Sequence, residues 1–425
     1  MKSILFFATA AAAAAAAGPY LAWTAESFTK HEIDNKKPFH YTKAVLYDGF
    51  EAAIELTKDQ ALVDWYRGRI DERVVLADGT IPKWSPTKYS LDEYRIGNNI
   101  LWWYERTGED KYKTAAKTIR DQLDRHPRTS EGGFFHRSPT YDNQMWLDGI
   151  FMADTFYAKW TSLFDADNTT AWDDIVNQFD VIDAHTRNRT TNLLYHGFDE
   201  SKLAVWANQL TGASPLTWSR AVGWYSVALL EVIQLLPRTH PGVAKLSNYF
   251  TTLAEGLKNA QDQSGGWWLV MDAPYVGRPG NYIESSASAL FVFSWLKGIK
   301  LGLLPERKFF PAAARGYEEL TTFVIENANG TLNWDGTVEV GSLNSDASFD
   351  YYTSIPIAMN DLKGVGPWMF ASYEWETFNQ TRGGGSFNNT TGPYNQTTGS
   401  FNHTRPASLP RSPRSPRSYN RRRQF

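Results

Sequence analysis

Between about residue 40 and residue 365, apolar side chains recur at intervals of three and four. Ala44, Val45, Tyr47, Phe50, Ala53 and Ile54 make one such stripe; Ile100, Leu101 and Tyr104 make a second; Val222, Tyr225, Leu229, Leu230 and Ile233 make a third. Each stripe keeps one face of a 3.6-residue helix apolar, so the spacing predicts amphipathic helices throughout. Further helices are expected near 143–162, 172–186, 218–236, 241–261, 283–300, 309–327 and 350–362. Two-residue alternation is scarce and confined to short runs such as Gly266 to Met271. The chain reads as all-α.

One segment repeats. Glu55-Leu56-Thr57-Lys58-Asp59 returns as Glu105-Arg106-Thr107-Gly108-Glu109, each time between two amphipathic stretches. Two helices and a tight turn every ~50 residues mark a stack of helical hairpins, either an open solenoid or a closed α/α toroid. Segments rich in Gly, Pro, Trp and Tyr lie at 78–92, 127–144, 195–218, 263–282 and 330–350. In a toroid one set of such connections gathers at one end of the funnel, which makes them the place to look for a site.

Composition narrows the classes. The chain has 425 residues, 43 basic against 46 acidic side chains and no cysteine. This near-neutral balance argues against a nucleic-acid binder. The missing cysteines exclude disulfides, thiolate metal sites and a cysteine nucleophile. Seventeen tryptophans form an excess that suits the flat faces of sugar rings, although core packing also accounts for many of them.

The ends differ from the body. Residues 1–17 read as a secretory signal peptide, with a basic start, an apolar run and small residues; the run is too short for a membrane span. Eight Asn-x-Ser/Thr triplets, at Asn168, Asn188, Asn329, Asn379, Asn388, Asn389, Asn395 and Asn402, fit a glycosylated, secreted, extracellular protein. Residues 18–377 are expected to form one domain. The 378–425 segment holds eight arginines and no Asp, Glu or Lys, and is expected to be a disordered basic tail.

The strongest chemical cluster runs from Gly132 through His136 and Tyr141 to Ala153. Asp148 stands there among Met145, Trp146, Leu147, Ile150, Phe151 and Met152, surroundings that disfavour its charged form and suit a general acid, unless it merely caps a helix or pairs with an arginine. Asp92, in Ser90-Leu91-Asp92-Glu93, supplies a second carboxylate, with helix capping as the plainer reading. Trp218-Ser219-Arg220-Ala221-Val222-Gly223-Trp224 could combine ring stacking with a bidentate carboxylate contact from Arg220, or be a packing pair beside an arginine. His196 is a lone loop histidine. The eight histidines show no metal-ligand spacing, and no phosphate loop or Gly-x-Ser-x-Gly elbow is present. No metal or cofactor is expected.

Four segments then acquire meaning together: Met145 to Met152, Trp218 to Trp224, Asn281-Tyr282-Ile283-Glu284-Ser285-Ser286-Ala287-Ser288-Ala289, and Asn360 to Pro367. In this order they resemble glycoside hydrolase family 105, the unsaturated rhamnogalacturonyl and related uronyl hydrolases, over residues 41 to 368. The resemblance implies an (α/α)6 barrel. It implies Asp148 as proton donor, with Asp92, His136, His196, Trp218, Arg220, Trp224 and Tyr41 in substrate contact. It also implies removal of a 4,5-unsaturated uronic acid from a lyase-generated pectic rhamnogalacturonan oligosaccharide by hydration of its vinyl ether. Two departures stand out: Ala221-Val222-Gly223 where the family has Gly-Asn-Gly, and Tyr94-Arg95 where it has Ile-Asn. Both are expected to bear on substrate preference. The competing readings are another α/α-toroid sugar enzyme, a glycosidase or epimerase, and a non-catalytic carbohydrate-binding cell-wall protein. The expected partner is the oligosaccharide, with neither nucleic acid nor membrane, and the expected state is a monomer.

Overall fold

A computed structural model describes residues 19–31 and 37–381. The expected signal peptide lies outside them, as does the expected tail beyond residue 381. The helices are α1 (Tyr20–Lys30), α2 (Tyr41–Thr57), α3 (Gln60–Arg73), α4 (Leu91–Tyr94), α5 (Ile96–Thr107), α6 (Asp110–Leu123), α7 (Leu147–Gly149), α8 (Thr155–Phe164), α9 (Thr169–Thr186), α10 (Ser219–Leu235), α11 (Gly242–Ala260), α12 (Ser285–Lys300), α13 (Glu306–Thr321), α14 (Phe349–Ser354) and α15 (Leu362–Thr381). A π-helical turn, Ile150–Asp154, joins α7 to α8. A 3₁₀ turn, Ala273–Tyr275, and three two-stranded antiparallel ladders complete the described secondary structure: β1 (Tyr89–Ser90) with β2 (Arg137–Ser138), β3 (Gln144–Trp146) with β4 (Gly197–Asp199), and β5 (Val324–Glu326) with β6 (Leu332–Trp334).

The helices close on themselves. α2 packs on α5, α5 on α8, α8 on α10, α10 on α12, α12 on α15, and α15 again on α2. α1, α3, α6, α9, α11 and α13 pack outside this ring. That is the (α/α)6 barrel, the closed option of the two that the hairpin repeat allows. The repeat is the inner-to-outer turn. Thr57 and Thr107 each bond the carbonyl four residues back and accept the N–H two residues on, while Lys58 and Gly108 take positive φ.

The connections are unequal. Inner-to-outer links are short: 58–59, 108–109, 165–168, 236–241 and 301–305. Outer-to-inner links are long: 74–90, 124–146, 187–218, 261–284 and 322–361. All the long ones therefore meet at the N-terminal ends of the inner helices.

Local sequence misleads in several places. The helix expected at 309–327 ends at Thr321 and gives way to strand β5, and the one expected at 350–362 stops at Ser354. The helix expected at 143–162 begins as strand β3, because Gln144 to Trp146 pair with Asp199 to Gly197. The run from Gly266 to Met271 is extended but forms only isolated bridges, Trp268 to Ile283 and Val270 to Trp218. α1 precedes the stretch read as helical, yet Leu21, Ala25 and Phe28 bury one face of it. α15 contains Gly364, Gly366 and Pro367, all ordinarily helix-weakening, and runs to Thr381 rather than ending before 378. Phe378 is buried and stacks on Phe310 at 5.0 Å, so the domain continues past the boundary at 377. Burial overrides propensity there: a Cβ on Gly366 would lie 2.4 Å from the Val45 carbonyl oxygen.

Gly366→Ala should lower stability by about 1–3 kcal/mol, because backbone must move. Gly68→Ala, on α3 with nothing within 4 Å of the added carbon, should instead raise it by up to ~1 kcal/mol; chemical denaturation of both variants measures the contrast. Glu376 accepts the Leu21 N–H at 2.9 Å, and burial pushes its carboxyl up to about 7 against the pull of the Leu21 and Tyr20 amides. From its ordinary value of 4.5 up to about 7, the folded state keeps a proton that the unfolded chain has released. This group's contribution therefore declines as pH rises through that window. Melting temperatures of Glu376→Gln across that window should show a shallower decline than wild type.

Candidate active site

Main-chain hydrogen bonds tie the long connections into a belt around the barrel mouth. The Leu91 N–H donates to the His136 carbonyl (3.1 Å), His136 to Gln144 (2.7 Å), Leu147 to His196 (3.0 Å), Ser219 to Leu269 (3.0 Å), Glu284 to Trp267 (2.9 Å) and Ser285 to Gly336 (3.1 Å). The links at Leu91, Leu147, Ser219 and Ser285 each fix the first turn of a helix at the barrel mouth against a neighbouring connection. Tyr41, Asp92, Asp148, Arg220 and Ser285 all sit in such first turns, so their side chains start from the end where free N–H groups and the positive pole of the helix lie.

The Leu147–His196 link brings Asp148 and His196 together. Gly197 is required beside it, since a Cβ there would lie 2.5 Å from the Met145 carbonyl oxygen. His196 Nε2 is 3.0 Å from Asp148 Oδ2, and Nδ1 is 2.8 Å from the Tyr352 hydroxyl. The phenol has one proton, and with His196 neutral its donation to Nδ1 leaves the ring N–H on Nε2, facing Asp148. His196 is fully buried, whereas the Asp148 side chain keeps 15% exposure. The acid thus faces a solvent-reached space from a rigid backing.

Asp92 and His136 occupy the adjoining wall. Arg137 pairs with Asp92 Oδ2, and His136 Nε2 lies 3.6 Å from Oδ1. Burial pushes the Asp92 carboxyl up, but Arg137 and then His136 outweigh it and hold it below its ordinary value. Asp92 is therefore a carboxylate at neutral pH. Burial lowers His136 to about 4, against the attraction of Asp92, so this ring is neutral. Trp146 stacks on His136 at 4.1 Å and meets His196 edge-on at 5.6 Å, which joins the two halves. Asp148 also contributes to the field at His136.

The remaining expected residues divide. Tyr41 is buried, and burial raises its hydroxyl, with Arg220, Asp92, Asp361 and Asp148 all within electrostatic reach. Trp218 stacks on His196 at 4.8 Å and on Tyr352 at 5.8 Å. Arg220 is buried and already engaged by its own chain. It donates to the Val338 carbonyl at 2.6 Å and to the Glu339 carbonyl, and lies 3.7 Å from Glu284 Oε1. Glu284 accepts from Ala287 N–H, Ser286 hydroxyl and Val338 N–H, so the two side chains together pin the 338–339 segment across α10 and α12. Trp224 stacks on Phe151 at 4.6 Å, within the barrel and apart from the Asp148 cluster.

Both departures from the family pattern face elsewhere. The Tyr94 hydroxyl bonds His126 Nδ1 at 3.0 Å. Arg95 bonds Asp48, Glu231 and Thr155 inside the barrel and covers the Phe151 ring at 3.8 Å. Ala221 and Val222 are fully buried, and Gly223 lets Leu290 approach. These are packing adjustments. Sequence reasoning assigned no role to Arg137, Tyr352 or Glu284. Arg137 directly follows His136 and could have been found from that adjacency; the other two belong to the site only through folding.

A family model described as Glycosyl Hydrolase Family 88 matches residues 20–379. A glycoside hydrolase of family 105 from C. acetobutylicum ATCC 824 superposes with a TM-score of 0.81 at 35% identity, covering 85% of this chain and all of that one. An unsaturated rhamnogalacturonyl hydrolase of Bacillus subtilis, YesR, is 27% identical over 299 residues, 67% of this chain and 80% of its own length. An unsaturated glucuronyl hydrolase specific for heparin shares the fold, with a TM-score of 0.63 at 14% identity over 85% of this chain and 96% of that one. With six inner helices closed in a ring, six more packed outside it, and a family match spanning nearly all described residues, the chain is a glycoside hydrolase and belongs to the family 88/105 group of unsaturated uronyl hydrolases.

Proposed function

We propose that this chain is exported and removes the 4,5-unsaturated uronic acid from the non-reducing end of lyase-generated pectic rhamnogalacturonan oligosaccharides. The observation that carries the chemistry is the Asp148–His196–Tyr352 chain, which presents one part-exposed carboxyl from a buried, fixed backing. The likeness to YesR supports the substrate class.

The steps balance without a covalent intermediate. Protonated Asp148 gives its proton to C4 of the vinyl ether, and positive charge develops at C5 and the ring oxygen. A water molecule adds at C5 and returns a proton to the Asp148 carboxylate. The C5 hemiketal opens to a ketone, and the hemiacetal left at C1 expels the aglycone alcohol. His196, donating from Nε2, steadies the Asp148 carboxylate between the two proton transfers. Ionised Asp92, nearby, favours the developing cation. The substrate's own carboxylate is drawn by the converging helix N-termini and the buried charge of Arg220. Trp146, Trp218 and Tyr41 supply ring faces and a hydroxyl around the sugar.

Asp148→Asn should leave the helical content intact while lowering kcat by about 10²–10⁴-fold, the usual range for a lost general acid. Loss of the double bond's ultraviolet absorbance reads the rate; undiminished turnover in that variant would sink the assignment. Unsaturated disaccharides with rhamnose, glucosamine and galactosamine aglycones, assayed side by side, test the pectic preference. Export rests on residues 1–17 and on the triplets. Among the described sites Asn329 is exposed, whereas the Asn168 amide bonds Asp165 and the Asn188 amide bonds Tyr195. Secreted from a eukaryotic host, the wild type should carry a glycan at Asn329, and Asn329→Gln should lose one glycan mass in intact-protein spectra.

A further inference from the structure

A cavity of about 890 Å³ opens beside the catalytic chamber, and no step of the proposed reaction uses it. Its walls come from the end of α1, the start of α2, the end of α3 and the approach to α15. Thr42 and Lys43, which line it, directly follow Tyr41, and the Glu339 carbonyl on its edge holds Arg220. The cavity therefore adjoins the uronate site on the same face of the barrel.

Its chemistry is basic. Arg69 and Arg73 stand one helical turn apart on α3 and share a face. Among the described residues neither guanidinium has a hydrogen bond or an ion pair. Arg69 covers the Trp65 ring at 4.9 Å, leaving its N–H fork unused. Both arginines act on the Tyr47 hydroxyl, which burial pushes up to about 12 and their charges pull back. Tyr47 also lines the cavity and supplies a further donor. Among the described residues two acids face the same space. Asp361 is taken by the Lys363 ammonium at 2.6 Å, and Glu339 lies exposed at the rim. Two like charges at this spacing repel each other without a counterion, and guanidinium forks free of other partners match planar or tetrahedral oxyanions.

We infer that this cavity is a binding site for an oxyanion, held by Arg69, Arg73 and the Tyr47 hydroxyl. The identity of its source rests on the reading given under Proposed function: on that reading the anion is a second uronate carboxylate, further along the oligosaccharide than the sugar being removed. The site would then favour acidic, longer lyase products over the shortest ones.

Inorganic sulfate and two substrates test this. In wild type, millimolar sulfate should raise the melting temperature saturably above a chloride control of equal ionic strength, and Arg69→Gln/Arg73→Gln should lose that rise. An equal rise in both proteins, or none in either, overturns the site. For turnover, an unsaturated tetrasaccharide with an internal uronate is compared with an unsaturated disaccharide whose aglycone is neutral. About a tenfold higher KM for the tetrasaccharide alone in the double variant, equivalent to ~1.4 kcal/mol, with sulfate competing only against the tetrasaccharide, identifies the substrate as the source. A lost sulfate rise with both KM values unchanged supports the site and identifies a free oxyanion as its ligand. A sulfate rise in wild-type protein that turns over neither substrate, lost in the double variant, supports the site while overturning the hydrolase reading on which the source depends.

Discussion

The belt of main-chain hydrogen bonds at the barrel mouth is the constraint on which the rest depends. A helix fixes the direction of its side chains but not where it begins relative to its neighbours. The links Leu91–His136, Leu147–His196, Ser219–Leu269 and Ser285–Gly336 set those starts by joining segments that are far apart in sequence. Once the starts are set, the first-turn residues of successive inner helices face a common space. The short inner-to-outer turns cannot do this, because links such as 58–59 and 108–109 leave little chain to form such bonds. Unequal connection length is thus what gives the barrel a functional end.

Charge within the chamber is sorted by partner rather than by depth. Asp92 is more deeply buried than Asp148, yet the Arg137 guanidinium against it holds its carboxyl below the ordinary value. Burial leaves His136 neutral despite the adjacent Asp92, so its ring does not compete with Arg137 for that charge. Asp148 has no cation of this kind in contact; its hydrogen-bonding neighbour is an imidazole oriented by a phenol. Two carboxylates on one wall are thereby given different work, one as standing charge and one as a proton carrier.

Much of this was legible because it is local. The three- and four-residue apolar spacing marked the helices between residues 40 and 350, and the repeated Thr-x-acid turn marked the hairpin unit. Asp148 and His136 stood out within one dense cluster. What the chain order could not show were partners joined only by folding: Tyr352 behind His196, or Arg220 against Glu284 and the 338–339 carbonyls. Trp218 and Trp224 show the opposite error. Six helical positions turn through about 600°, which leaves the second ring on a different side from the first. Trp218 accordingly stacks on His196, while Trp224 packs on Phe151. α15 was hidden by Gly364, Gly366 and Pro367, whose local cost is outweighed by the close approaches the glycines permit, Gly366 to Val45 of α2 and Gly364 to Thr337 and Trp334.

The substrate's own chemistry decides where specificity must sit. Elimination between C4 and C5 makes both carbons planar, so the configuration that separates a galacturonic from a glucuronic acid is erased in the lyase product. A site that grips only the unsaturated sugar cannot tell which polymer it came from. Discrimination therefore has to come from surfaces beyond the Asp148–His196 pair, where the aglycone and its further charges lie. In this chain the wall next to Tyr41 carries Arg69 and Arg73, whose guanidinium groups have no hydrogen-bond or ion-pair partner among the described residues. Preference for acidic chain over neutral chain can then be set at α3 without altering the residues that move the proton.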